Sequence, residues 1–141
     1  MARVGPPQKF PSPATMAPLT VLLFYLIALL VTATPASAQD ADAGRAVFHK
    51  CAVCHSPREG QNRIGPSLYQ VVGRKAGTEP GFQYSPGVRA LGWNWTPDHL
   101  NRWLSGPRAL VPGTKMTFPG LPDPADRSNV IAYLETLHDA P

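Results

Sequence analysis

Cys51-Ala52-Val53-Cys54-His55 holds the only two cysteines of the 141-residue chain, with a histidine directly after the second. That order is the pattern of covalent c-type haem attachment. Each thiol can add across a haem vinyl group, which gives two thioether links on one turn of backbone. The adjacent imidazole is then held under the iron as an axial ligand. Without the histidine, the same C-x-x-C reads as a redox dithiol or as half of a zinc site. The rest of the chain has to choose among these.

The leader bears on the compartment. Met1 to Pro18 is proline-rich and carries Arg3 and Lys9 but no acid; Leu19 to Ala33 is an uncharged run of 15 residues rich in Leu, Val, Ile, Phe and Tyr. It ends in Thr34-Pro35-Ala36-Ser37-Ala38, and Ala36-Ser37-Ala38 fits the small-x-small cleavage rule. Residues 1–38 are therefore predicted to be a secretory signal peptide and residues 39–141 the working domain. An uncleaved anchor is the rival, but a spanning helix needs about 20 apolar residues. Met16 is a second candidate start, and starting there would strip Arg3 and Lys9 from the leader.

The whole chain has 13 basic and 9 acidic residues; cleavage removes Arg3 and Lys9 and leaves 11 against 9, a net charge of about +2. No lysine- or arginine-rich run points to nucleic acid. A chain this small buries a modest core, to which an enclosed macrocycle would add considerably. In an oxidising compartment, unmodified Cys51 and Cys54 would pair as a disulfide.

The mature chain reads as a small all-α domain with long irregular connections. Asp42 is predicted to cap a helix from Ala43 that delivers Cys51 at its end. A loop runs from Ser56 to Ile64, and Leu68, Val71 and Val72 suggest a brief helix. Gly73 to Tyr84 has three glycines and one proline and reads as loop. Thr96-Pro97 starts a helix with the stripe Leu100, Trp103 and Leu104, which Gly106-Pro107 stops. Leu110 to Pro124 has four prolines and two glycines, too many for a regular element. Asp123-Pro124 repeats the cap-plus-proline signal before the stripe Val130, Ile131, Tyr133, Leu134 and Leu137. No strand pair or internal repeat stands out. Such loops make sense if they wrap a cofactor.

Met116 is the only methionine after residue 38, and it lies in the proline-rich loop, in Val111-Pro112-Gly113-Thr114-Lys115-Met116. A methionine used as core filler prefers a helix or strand. A loop thioether suits a second axial ligand facing His55, and His/Met ligation raises the reduction potential. His49, His99 and His138 are not placed at ligand spacing and are expected at surface or partly buried positions.

At this point the chain resembles the class I cytochromes c, both the mitochondrial protein and its small soluble bacterial relatives. The matching pieces are Gly44 with Phe48, Cys51 to His55, Gly65-Pro66-Ser67-Leu68, Gly73 to Gly77, Pro80 to Tyr84, Trp95, Pro112 to Met116 and Ile131-Ala132-Tyr133-Leu134. They keep one order and near-constant spacing from Asp42 to Leu137. The resemblance implies one haem c, covalent through Cys51 and Cys54 and ligated by His55 and Met116. It implies that the Pro66 carbonyl receives the free nitrogen of His55. Arg74, Tyr84 and Trp95 would surround a buried propionate, since one cation and two aromatic donors can stabilise a carboxylate out of water. Trp95 suits this better than Trp93 by its spacing from Tyr84. Thr114 would bond near the other propionate or a buried water. Gly44 would let the first and last helices cross, with Phe48 and Tyr133 packed at the crossing.

The chain departs from the family at Trp103, where a tyrosine is frequent, and at Val88, where the mitochondrial type has a buried asparagine. The lysine-rich docking face is thin: Lys50, Lys75, Lys115, Arg63 and Arg108 are candidates for a weak positive rim. The resemblance implies a monomeric one-electron carrier in the periplasm rather than an enzyme. Its partners would be redox proteins or membrane redox complexes, met transiently, with no nucleic acid. It would touch the membrane only through those partners unless the N-terminal segment stays uncleaved. The alternative is a peroxidase-like enzyme or gas sensor with a displaceable Met116. A haem-free C-x-x-C oxidoreductase lacks the strand–helix alternation its fold needs.

Overall fold

Asp40, not the expected Asp42, opens the first helix in this computed structural model, which describes Gly5 and residues 39–138. The predicted signal peptide lies outside the described residues apart from Gly5. Contacts divide the chain into two units, Met1–Ala36 and Ser37–Pro141, and all the helices below belong to the second. Helix α1 spans Ala41–Ala52, and the Asp40 carboxylate accepts from the backbone N–H groups of Asp42 at 2.9 Å and Ala43 at 3.1 Å. Asp40 wins the cap because its extended backbone aims the carboxylate at the unpaired amides. Asp42 instead places its charge in the first turn, where the helix dipole favours it.

Four further helices follow: α2 (Pro86–Arg89), α3 (Pro97–Ser105), α4 (Pro107–Leu110) and α5 (Pro124–Glu135). Each begins with proline, whose missing N–H costs nothing there. Ser85 caps α2, Thr96 caps α3 and Asp123 caps α5, each through its side-chain oxygen. The sequence reading missed α2 and α4, each four residues long; the Ser85-Pro86 start of α2 is the same signal on a shorter scale. No regular strand occurs among the described residues; the one bridge pairs Lys75 with Asn94. The fold is all-α with long loops. No helix among the described residues is long and apolar enough to cross a membrane.

The brief helix expected at Leu68–Val72 does not form; the segment is a series of turns with Gln70 at φ +50°. Ser67 explains it. Its buried hydroxyl accepts from the Tyr69 N–H at 3.2 Å and donates to the Arg58 carbonyl at 2.6 Å, and both bonds compete with a helical ladder.

Helices α1 and α5 cross where Gly44 meets the backbone of Asn129: a Cβ at Gly44 would overlap the Asn129 carbonyl and lie 2.9 Å from Cβ of Tyr133. Phe48 and Tyr133 pack at the crossing with ring centroids 5.0 Å apart. The core continues through Val47, Leu100, Leu104, Val130, Ile131, Leu134 and Leu137, all buried. The loops then enclose one side of it. Trp95 N–H donates to the Arg74 carbonyl at 2.8 Å and Gly73 N–H to the Trp95 carbonyl at 2.9 Å, which sets Arg74 beside Trp95.

Candidate haem site

Cys51 lies in the last turn of α1, and its carbonyl accepts from the N–H groups of both Cys54 and His55 at 3.0 Å. The chain folds back on itself there, so two thiols and an imidazole gather at one helix end. The thiols are not joined in a disulfide. Burial pushes the Cys51 thiol up to about 11. A redox dithiol needs the opposite, a thiol lowered toward neutral pH. Among the described residues, no group of three His, Cys, Asp or Glu has the arrangement to hold a metal ion.

His55 Nδ1 donates to the Pro66 carbonyl at 2.7 Å. Because that carbonyl can only accept, Nδ1 carries the proton and the lone pair is left on Nε2. Burial lowers the histidine's proton affinity, partly offset by the bond to Pro66, and the ring is kept neutral. Gly65 lies flat against it: a Cβ there would sit 2.7 Å from Nδ1 and 2.8 Å from Nε2.

All nine residues singled out from the sequence, Cys51, Cys54, His55, Pro66, Arg74, Tyr84, Trp95, Thr114 and Met116, line one cavity of about 410 Å³. Most of the remaining wall is apolar, with Leu68, Val71, Phe82, Val88, Leu100, Trp103, Leu104 and Phe118. Trp103 and Val88 are both buried, and Trp103 meets Trp95 edge-on at 5.4 Å. Trp93 is not on this wall; it stacks on His99 at 4.3 Å. Met116 is presented by the irregular loop after α4, where its N–H donates to Thr114 Oγ1 at 3.3 Å.

The polar end of the cavity differs from expectation. The Arg74 guanidinium is already engaged: Nη1 donates to the Tyr69 carbonyl at 3.0 Å and to Glu79 Oε2, and Nη2 to the Ser67 carbonyl at 2.7 Å. Its Nε is buried without a partner. Arg74 lines the cavity and keeps this orphaned donor, which a haem carboxylate would satisfy, and two thiols, a neutral imidazole and a thioether complete a donor set that fits haem c. Burial raises the Tyr84 phenol, so it stays a hydroxyl donor beside Arg74.

Sequence reasoning missed Glu79, which binds Arg74 from behind, and Arg127. The Arg127 side chain donates to the carbonyls of Leu121 at 2.7 Å and Pro122 at 2.9 Å, and through Nε to Asn101 at 2.7 Å. No local motif announces such a long-range side-chain bond. The positive rim is weaker than expected because Lys50 pairs with Asp126 at 3.3 Å.

The family model for cytochrome c matches residues 41–138. The chain belongs to the cytochrome c family. It is 52% identical over 95 residues to cytochrome c2 of Rhodopila globiformis, a match covering 67% of this chain and 90% of that one. Among solved structures, cytochrome cH from Methylobacterium extorquens is similar with a TM-score of 0.65 at 43% identity, covering 69% of this chain and 98% of the other. Cytochrome c2 from Rhodospirillum centenum gives a TM-score of 0.66 at 38% identity, covering 70% and 98%. The chain is thus a class I, single-haem cytochrome c, an electron carrier with haem c attached through Cys51 and Cys54.

Proposed function

We propose that His55 and Met116 are the two axial ligands, and that Arg74, Tyr84, Trp95 and Thr114 receive the propionates. The observation that carries this reading is the His55 Nδ1–Pro66 bond of 2.7 Å, which leaves Nε2 as a ligand in the cavity that also holds the one mature methionine. When bound, haem supplies the one-electron couple. The protein's part is to hold both ligands through the redox change. Pro66 and Gly65 fix the imidazole, and Arg127 ties the methionine loop to α3 and α5. Apolar walls exclude water, which keeps reorganisation on electron transfer small.

The partners proposed are redox proteins or membrane redox complexes, met by a monomer in the periplasm after cleavage behind Ala38. Val53 and Ile64 support a docking face at the cavity mouth: both line the cavity, yet 74% and 80% of their surface is exposed. Arg63 and Lys115 are exposed on the adjoining loops. A small apolar patch with a sparse cationic rim suits brief encounters. A peroxidase-like or gas-binding role requires Met116 to leave, and the Arg127 tether opposes that. The test is carbon monoxide added to the reduced holoprotein at neutral pH. The carrier reading expects no spectral change, and prompt binding would overturn it.

A further inference from the structure

Arg74 and Glu79 form an ion pair whose side chains are only 18% and 6% exposed. The pair separates two spaces. Arg74 lines the haem cavity, whereas Glu79 does not; both line an outer cleft of about 810 Å³ together with the exposed Glu59 and Glu135. Glu79 therefore stands behind the guanidinium, on the side away from the haem.

Both partners are fixed by backbone. The Arg74 carbonyl accepts from Trp95 N–H at 2.8 Å, and Arg74 N–H donates to Val71 at 3.1 Å. Glu79-Pro80-Gly81-Phe82 is a turn with Pro80 in its second position and Gly81 at φ +73°, the combination of a type II turn. Asn62 Nδ2 donates to the Pro80 carbonyl at 2.8 Å and anchors that turn. Both N–H groups of Nη1 are taken by Tyr69 and Glu79 and one of Nη2 by Ser67, which leaves the second Nη2 N–H and the buried, unpartnered Nε–H.

We propose that Glu79 is a positioning residue for the haem: it locks Arg74 so that the guanidinium's remaining N–H groups, Nε–H among them, are offered to the propionate, and its charge offsets the guanidinium and lowers the reduction potential. This rests on the reading that Arg74 serves a propionate. Ferric haem carries one more positive charge than ferrous, so a nearby carboxylate favours the ferric state. Burial keeps that interaction strong and shields it from salt. Removing the carboxylate while keeping its shape should leave Arg74 as an uncompensated cation and favour the ferrous state.

The experiment is an equilibrium redox titration of the holoprotein at low and high salt, comparing Glu79→Gln, Glu79→Asp, Arg74→Gln and the exposed control Glu59→Gln. Glu79→Gln is expected to shift the redox equilibrium toward the ferrous form by about threefold or more at both salt concentrations, while the Glu59→Gln shift is smaller and disappears in high salt. Glu79→Asp keeps the charge and should keep the potential; its shorter reach should still move the Arg74 Nε–H resonance in the ¹⁵N–¹H spectrum of the ferrous protein. If Glu79→Gln yields no folded holoprotein, an unmoved Arg74 Nε–H in Glu79→Asp overturns the clamp. Arg74→Gln separates the two readings, because loss of the cation should shift the equilibrium toward ferric. If Arg74→Gln moves the potential and Glu79→Gln leaves it in place, the role of Glu79 is refuted and that of Arg74 stands. If neither moves it, the propionate role of Arg74 falls and takes the proposal with it.

Discussion

The guanidinium of Arg127 donates at 2.7 Å to the carbonyl of Leu121, five residues beyond Met116. With its bonds to Pro122 and Asn101, one side chain of α5 closes the loop that carries the sulfur onto α3. Leu121 N–H returns a bond to the Leu104 carbonyl at 2.7 Å. The methionine loop has no helix or strand of its own between Val111 and Asp123, so these tethers decide how firmly Met116 stays in place.

Arg127→Ala should therefore weaken the Met116 position before it disturbs the rest of the fold. Hydrogen bonds from a charged donor are worth about 1.5–3 kcal/mol each, so the loss should exceed that of an exposed surface change. The expected result is measurable carbon monoxide binding to the reduced variant, with wild type refractory under the same conditions. Equal resistance in both would show that the loop is held by its apolar contacts instead.

Gly65→Ala tests His55, the other proposed ligand. An added methyl would press on the His55 ring within 2.7 Å of Nδ1, and Pro66 on the next residue limits how the backbone can yield. The variant should incorporate haem poorly, or hold it with an altered Soret spectrum. Full incorporation with an unchanged spectrum would mean the ring has room to move.

Gly44→Ala tests the crossing of α1 and α5. Overpacking against the Asn129 backbone should cost about 1–3 kcal/mol in denaturant unfolding of the holoprotein. Retained stability would require the helices to slide apart freely, which the packed Phe48–Tyr133 pair opposes.

Alkaline pH supplies a fourth test. Burial raises the Tyr84 phenol above its ordinary value of 10.0. Above that pH the unfolded chain gives up this proton while the folded one keeps it, so the unfolded state binds fewer protons and stability falls as pH rises. The contribution is fully present below the unfolded value and is lost as pH climbs through the folded one. Tyr84→Phe should flatten that alkaline decline in unfolding free energy; an identical slope in both proteins would show that Tyr84 is not the group responsible.

Much of this was legible in the sequence because local chemistry decided it. Thr96-Pro97 and Asp123-Pro124 start helices through their own side chains and rings, and the glycines and prolines of the methionine loop forbid a regular element there. The nine residues singled out from the sequence line one cavity because the motifs keep family spacing. What the sequence hid depends on distant partners. Ser67 diverts Leu68–Val72 from a helix by bonding to Arg58, nine residues back in the same irregular segment. Glu79 looks like any loop carboxylate until the type II turn folds it behind Arg74. Asp40 and Asp42 are equally good caps on paper, and only backbone direction separates them.

Met116 is the proposed ligand that faces His55, and one measurement reaches it directly. It is the ¹H NMR spectrum of the ferrous holoprotein. The haem ring current shields a methyl held against the macrocycle face, and Met116 is the only methionine after residue 38, so the signal has one source. The prediction is a single three-proton resonance far upfield of all others, absent in Met116→Leu. A ferrous wild-type spectrum with the methionine methyl in its ordinary position would contradict the His55–Met116 site.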